Sequence, residues 1–414
     1  MKKRLQIIIS FFLIFILLAG AAYVPASSYE NDIETSTADI LLINLDTNTT
    51  VYSKKPDNKW YSGDLAALMT YLLAYENIDE PDKTVFEVEQ DFIDELPYSD
   101  GCLDDYAGEE LTAKDLMAIA LLTSGNDAAY ALAYLVNGSD LSGFIDMMNE
   151  RAEKLGCVDT IYVTPGYSDE SAHHTTCRDL AKLYIAVRKT DIFNEIMNGE
   201  PYIPSGLDED YAVVTEASIF NSKSPYYFRY TNDAKFSYSE KTYAGLVLTT
   251  TYHEKTYLFV GLLGLNESEK NVYADARSLI TWAYLNLSDR KLINSDDDLT
   301  TVKVDSGWGE YDLLLFTADS AYKTLPNDFD EKLLSFKADY PETVKLPLTK
   351  GQKIGKATLS YNDEVIDAVD LVVDSDEGLD MLNDSARFAN YVVDGLFSIK
   401  PTEAAAEAAS EETE

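Results

Sequence analysis

The sequence predicts an α+β domain followed by a small all-β domain. Alternating segments stand near both ends of the first 290 residues, and helically spaced apolar segments fill the middle. Beyond an acidic linker the pattern turns to period two with no long helix.

Taken in order, ILLINLDTNTTVY (40–52) alternates and reverses at Asp46-Thr47-Asn48, which reads as a β-hairpin. DLAALMTYLLAYE (64–76) has helical spacing, with Asp64 placed as its N-cap. Helical pattern continues over 112–136, interrupted at Ser124-Gly125-Asn126, and returns at 140–155 and 177–188. As local structure alone, the interruption is a helix junction in which Gly breaks and Asn caps. After Tyr226, TYAGLVLTTTY and KTYLFVGLLGL pair through His253-Glu254, and ADARSLITWAYLNL forms a closing helix. Strands at both ends of a helical middle imply one sheet completed by distant parts of the chain. The linker falls at Asn294–Asp298, and residues 291–376 read as a β-sandwich. Residues 377–400 contain an amphipathic stretch, SARFANYVVDGLFSIK, that could touch a membrane peripherally. It offers only Arg387 and Lys400, so docking on the β-domain is an equal alternative. The Ala/Glu-rich tail, 401–414, is expected to be disordered.

Charge limits the partners. The 414 residues carry 33 Lys+Arg against 72 Asp+Glu, a net charge of −39. Such a surface repels phosphate backbones, so no nucleic-acid partner is expected. Cys102, Cys157 and Cys177 are too few for a disulfide framework. His173, His174 and His253 lack ligand spacing, so neither a metal nor a cofactor is expected. The 29 tyrosines are scattered and are expected to serve packing. Met1-Lys2-Lys3-Arg4, an apolar run from Leu5 to Leu18 and the small residues to Ala26 read as a signal peptide, 1–26. The alternative is an uncleaved anchor; either places the protein outside the cytoplasm, secreted or on the outer face of the envelope.

Five blocks together resemble one family. Leu68-Met69-Thr70 lies in DLAALMTYLLAYE, and Ser124-Gly125-Asn126 lies in LLTSGNDAAYALAY. MNERAEKLGCVDTIYVTPGYSDESAHHTTCRDLAKL, YYFRYTNDAKFSYSEKTYAGLVL and LTKGQKIGKATLSYNDEVIDAVDLVV follow in order. The chain resembles, over residues 35 to 375, the D-alanyl-D-alanine carboxypeptidases, the low-molecular-weight penicillin-binding proteins. The resemblance implies a β-lactamase/transpeptidase-like domain over 27–290, with sheet and helices, and a C-terminal β-domain. It also implies a serine peptidase that acts on peptidoglycan stem peptides or muropeptides. In that family the Ser of Ser-x-x-Lys attacks, its Lys one turn on takes the proton, the Ser-x-Asn motif relays a proton and holds the substrate amide, and Lys-Thr-Gly meets the terminal carboxylate.

This sequence departs where the chemistry is concentrated. Counting back from Leu68, the nucleophile and base positions read Asp64 and Ala67. A register starting at Ser62 puts Leu65 in place of Lys. A gap-free reading from Leu246-Val247 gives Lys235-Phe236-Ser237 for Lys-Thr-Gly, and sliding to Lys241-Thr242-Tyr243 still lacks Gly. A bulky Phe or Tyr at that strand is expected to crowd the groove. Ser288-Asp289-Arg290-Lys291 and Ser320-Ala321-Tyr322-Lys323 match Ser-x-x-Lys but lie downstream of Ser124 and are read as decoys. The expectation is a degenerate site with no intact catalytic set, in which Ser124, Asn126 and Lys235 remain as relay and substrate-binding remnants. Lys235 as a solvated strand lysine is the bland alternative. The protein would then bind stem peptides or a wall-enzyme partner; the rival is an active carboxypeptidase using Ser62 or Ser124.

Overall fold

The computed structural model describes residue 29 and residues 31–97, 101–239, 243–263, 269–293, 298–305, 310–318 and 320–374. The signal segment 1–26, Lys241-Thr242, most of the linker, the 377–400 stretch and the tail 401–414 lie outside the described residues. The chain forms two compact units. One runs to Asp289 and takes in Lys323–Phe329; the other holds Arg290–Tyr322 and the described residues from Asp330.

The first unit is built on a five-stranded sheet. Its strands are β1 (Asp39–Asn44), β2 (Thr49–Lys54), β3 (Thr231–Ser239), β4 (Tyr243–Tyr252) and β5 (Lys255–Leu262), in the order β2-β1-β5-β4-β3. Every neighbouring pair is antiparallel. The N-terminal hairpin thus docks through β1 on β5, some 200 residues later in sequence, as the pattern at the two ends predicts. His253 and Glu254 turn the β4–β5 hairpin with φ of 48° and 62°, the left-handed pair a two-residue turn requires.

Alternation along the strands separates two cores. Leu41, Val247, Leu258, Val260 and Leu262 face a helical layer, whereas Ile40, Leu42, Leu246, Leu248 and Phe259 face the other way. The helical layer contains α1 (Ala67–Asn77), α2 (Ala113–Leu122), α3 (Asn126–Asn137), α4 (Leu141–Lys154) and α5 (Cys177–Val187). On the opposite face lies α6 (Glu269–Asn286), which buries Val272, Tyr273, Ala276, Leu279, Ile280 and Ala283. Thr112 and Asp115 start α2 with a reciprocal capping box, so two otherwise orphaned N–H groups are satisfied.

Two capping expectations fail. Asp64 is not an N-cap: it sits inside a 3-10 turn, Gly63–Ala66, that precedes α1. Gly63 adopts φ of +54°, which turns the chain there and frees the Asp64 carboxyl to meet Ser237. Nor does Asn126 cap α3. It is the first residue of that helix, Gly125 occupies the cap without a side-chain bond, and the Asn126 amide is used elsewhere.

The second unit is all-β. Its strands β6 (Asp298–Asp305), β7 (Glu310–Thr317), β8 (Leu334–Asp339), β9 (Thr343–Lys345), β10 (Lys353–Tyr361) and β11 (Glu364–Val372) form one sheet in the order β8-β10-β11-β7-β6-β9. Val302, Val304, Leu315, Ala357, Leu359 and Leu371 are among its buried apolar side chains.

Two leucines provide a test of the first unit. Leu132 of α3 is fully buried, and Leu285 at the end of α6 is 71% exposed. Leu132→Ala should cost about 2–5 kcal/mol in urea unfolding. Leu285→Ala should change stability by less than about 0.5 kcal/mol.

Candidate active-site cleft

The start of α1, the junction between α2 and α3, and strand β3 converge on one small cleft. Asp64, Ala67, Ala120, Thr123, Ser124, Gly125, Asn126, Gly166 and Tyr167 line it, and the space between them is too tight for a water molecule. The structure therefore brings Asp64, Ala67, Ser124 and Asn126 together, from sequence positions 60 residues apart. Lys235 is seated behind this wall, against the end of α2.

Asp64 is 7% exposed. Its backbone N–H donates to Ser237 Oγ at 3.0 Å, and that hydroxyl donates to Asp64 Oδ2 at 3.2 Å. Burial holds the Asp64 carboxyl above the usual carboxylate range, against the opposing pull of Lys235 and the hydroxyls of Ser237 and Ser124. Ala67, three residues on, presents only a methyl group to the cleft.

Lys235 is 2% exposed, so it is not a solvated strand lysine. Its ammonium donates to the carbonyls of Ala120 at 2.8 Å, Leu121 at 3.2 Å and Thr123 at 3.0 Å. Those are the last carbonyls of α2, which have no partner within the helix and sit at its negative end. An ammonium has three donors, and all three are taken. Burial lowers the Lys235 pKa, while Asp64 and Glu216 act in the other direction.

Strand alternation overturns the expectation that Phe236 crowds the groove. Lys235 and Ser237 point toward the helices, and Phe236 points to the opposite core, where its ring lies 5.2 Å from that of Tyr273. From that strand it is the Ser237 side chain that reaches Asp64.

Ser124 Oγ donates to Glu216 Oε2 at 2.7 Å. Glu216 went unnoticed in the sequence because it lies in an irregular segment with no motif; its backbone N–H pairs with the Leu122 carbonyl at 3.0 Å. Asn126 is 5% exposed; its Oδ1 accepts from the Tyr167 N–H at 2.8 Å, and its Nδ2 has no partner. Gly166 permits that approach, since a Cβ there would lie 2.1 Å from Asn126 Oδ1. Thr70 Oγ1 fixes the same loop from α1 by donating to the Pro165 carbonyl at 2.5 Å.

Ser62, offered as a rival nucleophile, is 3% exposed, does not line the cleft and leaves its Oγ unpartnered. The two other Ser-x-x-Lys matches fall on strands, Leu287–Ile293 and Ala321–Pro326, or at their edge. On a strand, residues three apart face opposite sides, so neither match can pair a hydroxyl with an amine. His173 is fully buried, accepts from the Val163 N–H through Nδ1 at 3.1 Å, and is held neutral by burial, its pKa pushed down to about 4.

Asp64 yields a pH test. A folded-state pKa above the unfolded value means that the folded chain holds the proton longer. The associated stability is therefore present at low pH and is lost as pH rises past the ordinary carboxylate range, about 3.9, and through the raised folded value. Asp64→Asn removes the titration. Its stability relative to the native chain, from urea midpoints at pH 4 and pH 7, should be more favourable at pH 7; an equal or opposite difference would contradict the assignment.

The geometry can be set beside known proteins. Residues 26–262 match the D-alanyl-D-alanine carboxypeptidase peptidase family, and residues 288–378 match the penicillin-binding protein 5 C-terminal domain. D-alanyl-D-alanine carboxypeptidase DacF of Bacillus subtilis is 20% identical over 79% of this chain and 82% of its own. The Escherichia coli carboxypeptidase DacC is 28% identical over 64% of each chain. Among solved structures, penicillin binding protein 5 from Haemophilus influenzae superposes with a TM-score of 0.70 at 18% identity, over 84% of this chain and 99% of that one. Among the described residues no helix is long and apolar enough to cross a membrane. The chain belongs to the D-alanyl-D-alanine carboxypeptidase family, penicillin-binding proteins of peptidoglycan metabolism.

Proposed function

We propose that this protein is a non-catalytic member of its family that works outside the cytoplasm and binds peptidoglycan stem peptides without cleaving them. The observation that carries the proposal is the pair at the start of α1: a buried carboxyl, Asp64, and a methyl, Ala67, on the cleft wall. Acyl transfer needs a nucleophile with a base beside it. An aspartate would form a mixed anhydride with the acyl group, and Ala67 offers no base to turn it over. Removing one member of such a set costs ~10⁴-fold or more, and the losses are not additive. Asn126 supports retained binding, because its buried Nδ2 has no partner within the protein, and a peptide carbonyl that widened the cleft would supply one.

A second reading rests on one contact. Ser124 and Glu216 form a hydroxyl–carboxylate pair at 2.7 Å, and Asn126 Nδ2 stands in the same cleft as a donor for an oxyanion. The first reading is favoured, because a carboxylate is a weak base for a serine hydroxyl.

Intact-mass spectrometry of the chain from Ser27 onward, after incubation with a reporter penicillin, separates the two. The expected result is no mass gain and no D-Ala released from a D-Ala-D-Ala peptide, while that peptide shifts the Asn126 side-chain amide resonances. An acyl adduct lost in Ser124→Ala would establish the second reading instead. Folded protein that neither reacts nor binds the peptide would redirect the search to a wall-enzyme partner.

A further inference from the structure

On the far side of the sheet from the cleft, Pro225, Tyr226, Tyr273, Ala274, Arg277 and Ser278 enclose a cavity of about 190 Å³. That is below the usual range for drug-sized ligands, about 300–1,000 Å³, and suits a group of one ring. The Tyr226 and Tyr273 rings stack at 5.2 Å with an interplanar angle of 13°, and Phe236 supports Tyr273 from the strand. Tyr273, Ala274, Arg277 and Ser278 share one face of α6, so the guanidinium and the buried Tyr273 ring that backs Tyr226 are held by a single rigid element.

The charge at this place runs against the rest of the molecule. Residues 217–232 contain no Asp or Glu, in a chain that has 72 of them. Lys223, Arg229 and Arg277 are exposed, and among the described residues none of the three makes an ion pair. Arg277 has one long hydrogen bond, from Nη1 to the Pro225 carbonyl at 3.4 Å. Asp275, two residues away on the same helix, is buried and turned to Ser36 and Thr37. A guanidinium held beside an aromatic floor, with most of its donors unused, is a receptor for a carboxylate on a flat or ring-shaped body. The partly exposed Tyr226 ring, backed by Tyr273, supplies the apolar surface such a ring covers.

We propose that this cavity is a second binding site, independent of the cleft, for a saccharide ring bearing a carboxylate, with Arg277 taking the carboxylate and Tyr226 the ring. Family membership in peptidoglycan metabolism suggests matched probes: N-acetylmuramic acid and N-acetylglucosamine, the same ring with and without the carboxylate, and lactate as the carboxylate without the ring.

Calorimetric or ligand-detected NMR titration of the chain from Ser27 onward should show N-acetylmuramic acid binding at least about tenfold more tightly than either other probe, the margin expected of one charge-assisted bidentate contact. Arg277→Gln should remove that preference with an unchanged melting midpoint, as expected for an exposed side chain. Tyr226→Ala should weaken both sugars alike, and Asp64→Asn should change neither affinity. Equal binding of the two sugars, full affinity in Arg277→Gln, or no binding of N-acetylmuramic acid at millimolar concentration would overturn the proposal. Loss of affinity in Asp64→Asn would place the ligand in the cleft and overturn it as well.

Discussion

The ammonium of Lys235 is the point from which the cleft is hung. Burying a charge costs several kcal/mol unless its hydrogen-bonding capacity is met, and here the carbonyls of Ala120, Leu121 and Thr123 meet all of it. The same contact caps the C-terminal end of α2, whose final carbonyls would otherwise be orphaned. It therefore locks strand β3 to the α2–α3 junction, and so sets where Ser237 stands relative to Asp64 and where Ser124 enters the cleft. A lysine that binds a ligand carboxylate must leave a donor for it. All three donors of this one are taken by main-chain carbonyls, so its role is structural.

How far the sequence could be read depended on the kind of interaction. Periodicity gave the strands and helices of the first unit, because each buries one face against a core and the apolar spacing records that face. It gave the helix break at Ser124-Gly125-Asn126, since Gly125 interrupts a pattern otherwise continuous from Thr112 to Val136. It did not give the role of Asp64. An acidic residue ahead of an apolar run has the signature of an N-cap, and only the tertiary approach of Ser237, more than 170 residues away, decides otherwise. Glu216 was invisible for the same reason: its partner Ser124 lies 92 residues upstream, and nothing near Glu216 marks it. Phe236 was misjudged because residue identity was considered without the strand's facing, which sends its ring to the second core.

The electrostatics of the cleft follow from three charged side chains. Asp64 and Glu216 place two carboxyl groups on either side of Ser124, and the raised pKa of Asp64 reflects burial together with repulsion from Glu216. The balancing charge, Lys235, is enclosed by main-chain carbonyls rather than facing the cleft. A peptide entering with its terminal carboxylate forward would meet negative charge with no donor fork in front of it. Among the described residues that line the cleft, the Asn126 amide is the buried side-chain donor left without a partner.

The two faces of the sheet have thus diverged in character, and β3 shows how one strand serves both. Its alternate residues carry Lys235 and Ser237 to the acidic, closed cleft and Phe236 to the floor beneath Tyr273. A change at Phe236 alters the support of the aromatic stack without touching a cleft side chain, whereas a change at Ser237 removes the Asp64 contact and leaves the stack alone. In a chain of net charge −39, the acid-free run 217–232 packs Phe220, Tyr226 and Phe228 on the core that holds α6 and leaves Lys223 and Arg229 exposed. General acidity keeps anions away from most of the surface, so local positive charge gains contrast where it survives. That contrast, rather than the number of tyrosines, is what separates Tyr226 from the tyrosines that only fill cores, such as Tyr71 and Tyr184.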